Sequence, residues 1–274
     1  MTVAQRPFLD HEGPIAFAHR GGSEEAPENT MPAFEAAVAL GYRYLETDVH
    51  MTSDGALVAF HDASLDRVTD SRGHIARLPL ASIREADAGY WFTADGGATY
   101  PFRGSGVQVP TLEELLTRWP DVRVNIDPKD DVCVGPLAAL LERLDAHDRV
   151  CIGSFSDRRL LRVRALTQRR VCTSMGRNAV TMAWAFALAG RMARLDADCV
   201  QVPIQWRDFN LVTAGFVKAA HRTGLPVHVW TVNDEATMNE LLDLGVDGIM
   251  TDRPRVLRSV LVDRGQWPLP VPAS

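Results

Sequence analysis

Residues 15 to 50, IAFAHRGGSEEAPENTMPAFEAAVALGYRYLETDVH, place His19 and Arg20 directly before two glycines and close on a run where Glu46, Asp48 and His50 alternate with Thr47 and Val49. Further on, ALVAFHD ends in His61-Asp62, and VNIDPK offers Asn125, Asp127 and Lys129. Side chains alternate along a strand, so Glu46 and Asp48 share one face, and Asn125, Asp127 and Lys129 share another. If both faces point into one enclosure, three carboxylates converge. Their repulsion and desolvation would be relieved by one divalent cation. An all-oxygen set favours Mg²⁺ or Ca²⁺ over zinc, which recruits histidine or cysteine; the H-x-H pattern of many zinc barrel hydrolases is missing from the first strand. The alternative is that these carboxylates are salt-bridged to Arg20, Arg43 or Lys129 in a polar barrel end, which accounts for any one of them better than for the set.

His19 and His61 suit general acid and general base roles, because imidazole titrates near neutrality. A lone strand-end histidine would more often be a hydrogen-bonded structural group, but two of them flank the carboxylates. Arg20 can grip phosphate oxygens bidentately and Lys129 can add a point charge, as a phosphodiester requires when negative charge builds up in its transition state. Either could instead be a partner for the carboxylates.

Something must hold these groups together. Strand-like runs lie at 15–20, 44–51, 123–129, 149–155, 170–176, 199–203, 226–233 and 248–254, separated by helical texts such as ENTMPAFEAAVAL, GPLAALLERL and EATMNELLDL. Eight βα units in 274 residues predict a single (β/α)₈ TIM barrel over residues 1–274, an α/β fold whose reactive groups sit at the C-terminal ends of the strands. A doubly wound open sheet is the second choice. Residues 62 to 110 break the rhythm with Gly73, Gly89, Gly96, Gly97, Gly104 and Gly106 and the aromatics of GYWF; they read as a small insertion after strand two, either a binding loop or a packed cover. The tail PLPVPAS reads as loose.

Composition narrows the partners. A formal charge of −6 is spread along the chain without a Lys/Arg stripe, which argues against nucleic acid. No apolar run approaches the roughly 20 residues of a transmembrane helix, and MTVAQRPFLDHEGP lacks the order of a secretory signal, so a soluble cytoplasmic protein is expected. Cys133, Cys151, Cys172 and Cys199 are widely spaced in apolar text, never as C-x-x-C, and read as buried thiols rather than zinc ligands or disulfides. Nothing marks an oligomeric interface, so monomer and dimer both stay open.

The stretches AHRGGSEEAPENTMPAFEAA, YLETDVHMTSDGALVAFHDASLDRVT, VPTLEELL, NIDPK, VHVWTVN and GVDGIMTDRP, in this order, resemble the glycerophosphodiester phosphodiesterase family over about residues 14 to 257. The resemblance implies a metal-dependent (β/α)₈ hydrolase in which His19 and His61 perform acid–base catalysis. It also implies that Glu46 and Asp48 bind the cation, that Arg20 and Lys129 hold the phosphate, and that Trp230 lines the substrate pocket. The implied reaction releases sn-glycerol 3-phosphate and an alcohol, the glycerol 2-hydroxyl attacking phosphorus to give a cyclic phosphate that water opens. One departure stands out: where the family commonly reads glutamate, one residue, lysine, this chain reads Asp127-Pro128-Lys129. Asp127, the third metal ligand, reaches one methylene less, so its contact with the cation could run through water. Pro128 removes a ladder donor, tolerable where the strand ends. The rival readings are a lysophospholipase D or cyclising phospholipase with an acyl groove from GYWFTADGG or MAWAFALAG, the second more simply a core-facing helix, and a non-catalytic phospho-ligand-binding barrel.

Softer expectations complete the list. Asn29 reads as the N-cap of the first helix. His50, beyond Asp48 on the same face, would see substrate or only solvent; Ser154, Phe155, Gln201 and Trp206 would line the pocket; Met175 and Met182 would pack.

Overall fold

The computed structural model describes residues 6–188, 195–206 and 209–267; the PLPVPAS tail and the last two residues of the MAWAFALAG text lie outside them. Eight short apolar segments form one parallel sheet: β1 (Ile15–Ala18), β2 (Tyr44–Met51), β4 (Arg123–Pro128), β5 (Val150–Ile152), β6 (Cys172–Thr173), β7 (Val200–Pro203), β10 (Val227–Trp230) and β11 (Gly248–Thr251). Three further strands lie outside this set. They are β3 (Leu57–Ala59), which pairs antiparallel with β2, and the hairpin β8 (Gln205–Trp206) and β9 (Phe209–Asn210). The sheet runs β6-β5-β4-β2-β1-β11-β10-β7. Its two ends meet through a parallel bridge between Ser174 and Cys199, and the Asp198 amide donates to the Thr173 carbonyl at 2.9 Å. The sheet therefore curls into the expected barrel, with β6 against β7 as its thinnest seam.

Nine helices occur among the described residues: α1 (Met31–Ala39), α2 (Leu80–Arg84), α3 (Leu112–Arg118), α4 (Val134–Arg143), α5 (Asp157–Leu166), α6 (Arg177–Leu188), α7 (Ala214–Arg222), α8 (Glu235–Asp243) and α9 (Pro254–Asp263). Most start on side chains that satisfy the free backbone N–H groups of the first turn: Thr30, Ser156, Thr213 and Asp234 each accept from the third amide onward, and Thr111 forms a capping box with Glu114. Leu137, Leu140 and Leu141 of α4, or Phe216, Val217 and Ala220 of α7, recur at helical spacing and join the main core between sheet and helices. A second cluster of Phe8, Ile15, Phe17, Tyr44, Met250 and three cysteines fills the barrel floor. No helix among the described residues is long and apolar enough to cross a membrane.

The strands match the expected positions but several end earlier: β1 stops at Ala18 and β5 at Ile152, leaving the last polar residues to turn over the barrel mouth. Residues 62–110 lie between β3 and α3. They build their own small core from Leu65, Ile75, Ile83, Ala88, Val107 and Val109 against Val58 and Phe60.

At the end of β1 the chain turns sharply through Arg20, Gly21 and Gly22, all with positive φ (51°, 84° and 106°). A Cβ on Gly21 would stand 2.7 Å from the Ala33 Cβ and 2.9 Å from the α1 backbone, so only glycine lets helix α1 close on this turn. Gly21→Ala is expected to destabilise the fold by more than about 1 kcal/mol in urea denaturation. Gly135→Ala, at an open position within α4, should be neutral or stabilising by up to about 1 kcal/mol. Equal effects at the two sites would contradict this packing.

Candidate active site

The Arg20 turn aims three groups of one residue at three partners. Its amide donates to Glu46 Oε2 at 3.1 Å, its Nε lies 3.1 Å from Asp48 Oδ2, and its Nη1 donates to Glu28 Oε1 at 3.1 Å. Beside it, His19 Nδ1 sits 2.6 Å from Asp252 Oδ1, and Nε2 faces Glu46 Oε2 at 3.7 Å. Asp252, on the loop after β11, is fixed by Ser23 Oγ (2.6 Å) and Asn233 Nδ2 (2.9 Å). Burial alone would suppress the imidazolium, yet Glu46 and Asp252 outweigh it and raise the His19 pKa. Burial likewise opposes the Asp252 charge, but the hydrogen bond and charge of His19, with Ser23 and Asn233, pull it down to about 2.

His61 is oriented in the same manner. Its Nδ1 contacts Asp62 Oδ1 at 2.6 Å, Arg67 Nε donates to Asp62 Oδ2 at 2.6 Å, and Arg67 Nη1 and Nη2 donate to Glu28 at 2.8 and 2.6 Å. With a carboxylate accepting from Nδ1–H, the proton-accepting nitrogen of each neutral ring is Nε2. A chain of ion pairs runs from His61 through Asp62, Arg67 and Glu28 to Arg20, whose backbone amide bonds the Glu46 carboxylate facing His19. His50 corrects an expectation: it meets neither cavity nor solvent, being buried with Nε2 3.1 Å from the His61 carbonyl and Nδ1 3.3 Å from Asp130. It braces the His61 backbone from behind.

The carboxylates are the expected set in an uneven state. Asp48 has Lys129 Nζ at 2.5 Å, Arg20, and Asn29 Nδ2 at 3.1 Å. Burial works against its charge, but Lys129 and Arg20 prevail and hold it below the usual carboxylate range. Lys129 also meets Asp127 at 2.9 Å, where burial still leaves the carboxyl raised. Among the described residues no lysine or arginine side chain lies in salt-bridge reach of Glu46; burial first, then the charge of Asp48, pushes it up to about 7. The salt-bridged alternative therefore describes Asp48 and Asp127, and leaves Glu46 short of positive charge. Asn29 is not the N-cap of α1; that role falls to Thr30, which accepts from the Ala33 amide. Asn29 instead adopts φ 56°, accepts from Thr47 Oγ1 at 2.7 Å and donates to Asp48. An Asn tolerates this left-handed conformation better than most residues.

His19, Arg20, Glu46, Asp48, His61, Asp127, Lys129 and Trp230 all line one cavity of about 430 Å³, joined by Asn125, Ser154, Phe155, Gln201 and Trp206. One end is charged. The other is apolar, with Met175, Val180, Trp184 and Phe209, and Trp230 packs edge-on against Phe155 at 5.6 Å. The remaining expectations fare unevenly. Met175 is buried, but it also lines the cavity; Met182 is 48% exposed and does not pack. Helix α6 faces the core as expected, with Ala183 inside the main cluster and Ala179, Val180, Trp184 and Ala187 packed against it, while Val180 and Trp184 also reach the cavity. GYWFTADGG supplies no cavity wall; residues 62–110 reach the site through Asp62, which meets His61, and through Arg67, which meets Asp62 and Glu28.

The sequence reading missed Asp252, Ser23, Asn233, Glu28 and Arg67. Asp252 carried a usable signal, because it follows the last strand-like run where a barrel concentrates its polar groups. Arg67 carried none.

Residues 19–256 match the Glycerophosphoryl diester phosphodiesterase family. Among curated proteins, the chain is 43% identical over 268 residues to "Probable glycerophosphodiester phosphodiesterase 2" of Mycobacterium tuberculosis, covering 95% of each. It is 33% identical over 261 residues to the glycerophosphodiester phosphodiesterase of Bacillus subtilis, covering 90% of this chain and 86% of that one. Among solved structures, it resembles a phosphodiesterase of Oleispira antarctica in complex with the product sn-glycerol-3-phosphate, with TM-score 0.74 and 26% identity, covering 91% of this chain and 97% of the other.

The Asp252 pairing makes a direct expectation. In Asp252→Asn, His19 loses one of the two charges that raise its pKa, so its titration, followed by NMR of the ring protons, should move to lower pH. An unchanged midpoint in a folded variant would show that Asp252 does not act on His19.

Proposed function

The chain belongs to the glycerophosphoryl diester phosphodiesterase family and is a phosphodiesterase acting on glycerophosphodiesters. From that premise we propose that it releases sn-glycerol 3-phosphate and an alcohol by acid–base catalysis from His19 and His61, with the help of one divalent cation. The observation that supports this reading is the pair of carboxylate-oriented histidines, each presenting Nε2 to the cavity that also holds Arg20 and Lys129.

One imidazole takes the proton of the glycerol 2-hydroxyl as its oxygen bonds to phosphorus, and the other gives a proton to the departing alcohol oxygen as the P–O bond breaks. The cyclic phosphate is then opened by water with the two roles exchanged, returning both rings to their starting state. Arg20 and Lys129 supply charge to the nonbridging oxygens, and Trp230 walls the pocket beside them.

The residues fit a hard cation in donor type and in charge. Glu46, Asp48 and Asp127 would hold Mg²⁺ or Ca²⁺ through oxygen alone, and the raised Glu46 marks a local excess of negative charge. Asp127, shorter by a methylene than the usual glutamate and already engaged by Lys129, suits a looser contact. When bound, the cation would draw charge from the phosphate oxygens and lower the barrier to attack. Glu46 must lose its proton to ligate, so affinity should rise as pH increases through about 7 and fall below it, by up to about tenfold per pH unit for one displaced proton. Calorimetry with Mg²⁺ or Ca²⁺ on either side of neutrality measures this; a pH-independent affinity would remove Glu46 from the ligand set.

The apolar end favours a second substrate class. Phe155, Trp206 and Phe209, 41–57% exposed at the rim, continue the cavity toward solvent with room for an acyl chain, as a lysophospholipase D would require.

Release of sn-glycerol 3-phosphate from glycerophosphocholine, with EDTA and after restoring either cation, tests the proposal. Product that vanishes with EDTA and returns with one cation is expected. His19→Ala and His61→Ala should each cut kcat by about 10²-fold or more without unfolding the chain. Product from lysophosphatidylcholine alone would favour the second reading, and near-normal rates in either histidine variant would overturn the acid–base assignment.

A further inference from the structure

Cys151, Cys172 and Cys199 come from three separate strands and their runs look like ordinary core text, yet the barrel gathers them at one point. All four cysteines are free and buried, as expected. The three sulfurs of this cluster lie within 4.8 Å of one another, and those of Cys151 and Cys199 are 3.9 Å apart. Zn–S bonds of about 2.3 Å place tetrahedral sulfurs about 3.8 Å apart, so the spacing suits a common central ion. Among the described residues no other trio of potential ligands is this tight.

A candidate fourth donor lies outside this 4.8 Å trio. His228 of β10 is fully buried, with Nδ1 3.5 Å from Gln201 Nε2 and Nε2 without a hydrogen-bond partner. Its ring packs 5.1 Å from that of Phe17, which belongs to the same floor cluster as the three cysteines. Three inert thiols would behave as small hydrophobes, and the unpartnered buried imidazole nitrogen would not follow from that.

The position in the fold says what such a site would do. The thiols sit on β5, on β6 and directly before β7, and His228 sits on β10, so the group straddles the β6–β7 seam that one bridge closes. Two residues on from each, Gly153, Ser174, Gln201 and Trp230 line the cavity above. Alternation along the strands puts the four donors in the layer directly beneath it.

We propose that Cys151, Cys172, Cys199 and His228 form a buried Cys₃His site that takes one thiophilic divalent cation of the zinc class and staples the barrel seam. Each ligating thiol gives its proton to solvent as its sulfur–metal bond forms, so loading needs no oxidant and strengthens with pH. The soft donors separate this site from the all-oxygen cluster at the mouth.

Cobalt distinguishes the two by spectrum. Chain refolded anaerobically with Co²⁺ should bind one ion with intense near-ultraviolet thiolate-to-cobalt charge transfer, and its Tm should exceed that of the EDTA-stripped chain. The band should disappear in Cys151→Ala and Cys199→Ala and persist in Cys133→Ala, whose sulfur instead contacts the Val49 carbonyl. Should the variants fail to fold, X-ray absorption at the zinc edge of the wild-type chain purified from zinc-supplemented medium should show sulfur neighbours. Cobalt bound without charge transfer, a band that survives both variants, or zinc surrounded by oxygen and nitrogen alone would each overturn the proposal.

Discussion

A carboxylate taken out of water costs several kcal/mol unless cations or donors meet it, and Glu28, Glu46, Asp48, Asp127 and Asp252 crowd one barrel mouth. The local structure can be understood as the answer to that cost. Arg20 is turned into a left-handed conformation so that it reaches Glu46, Asp48 and Glu28 at once. Lys129 spans Asp48 and Asp127, Arg67 crosses from the insertion to join Glu28 with Asp62, and His19 sits between Glu46 and Asp252. The one member left short of positive charge is Glu46. An unmet charge in a dry cleft is where a metal or an anionic substrate's counter-charges find purchase.

The barrel makes this crowding possible because its strands end together. The register pairs Asp48 with Asp127 and Glu46 with Asn125 across β2 and β4, and it pairs Ala18 with Thr251, which brings Asp252 beside His19. Apolar residues toward the floor carry the folding energy, so the mouth is free to hold groups selected for chemistry. The insertion contributes a brace rather than a lid.

Much of this was legible in the sequence for a physical reason: each strand-like run ends in polar residues that no ordinary core would tolerate, so type and position together announced His19, Glu46, Asp48, His61, Asp127 and Lys129. What escaped notice depends on contacts between distant segments. Asn29 and Thr30 are both good helix caps by composition, and only the demand of Asp48 for a donor decides that Asn29 is the one turned away from the helix. His50 obeys the alternation of β2, but whether the next layer is cavity or backbone depends on how the chain after β3 folds over it. The three clustered cysteines share no spacing on the chain because their proximity is a property of barrel closure.

The central claim is that the two oriented histidines bracket a phosphate whose charge is shared by Arg20, Lys129 and a cation on Glu46 and Asp48. The most direct measurement is anomalous diffraction from crystals soaked with Ca²⁺ and sn-glycerol 3-phosphate. A calcium peak against the Glu46 and Asp48 oxygens is expected, with the phosphate between the Nε2 atoms of His19 and His61. Product bound with its phosphate remote from both rings, or calcium absent from these carboxylates at saturating concentration, would contradict it.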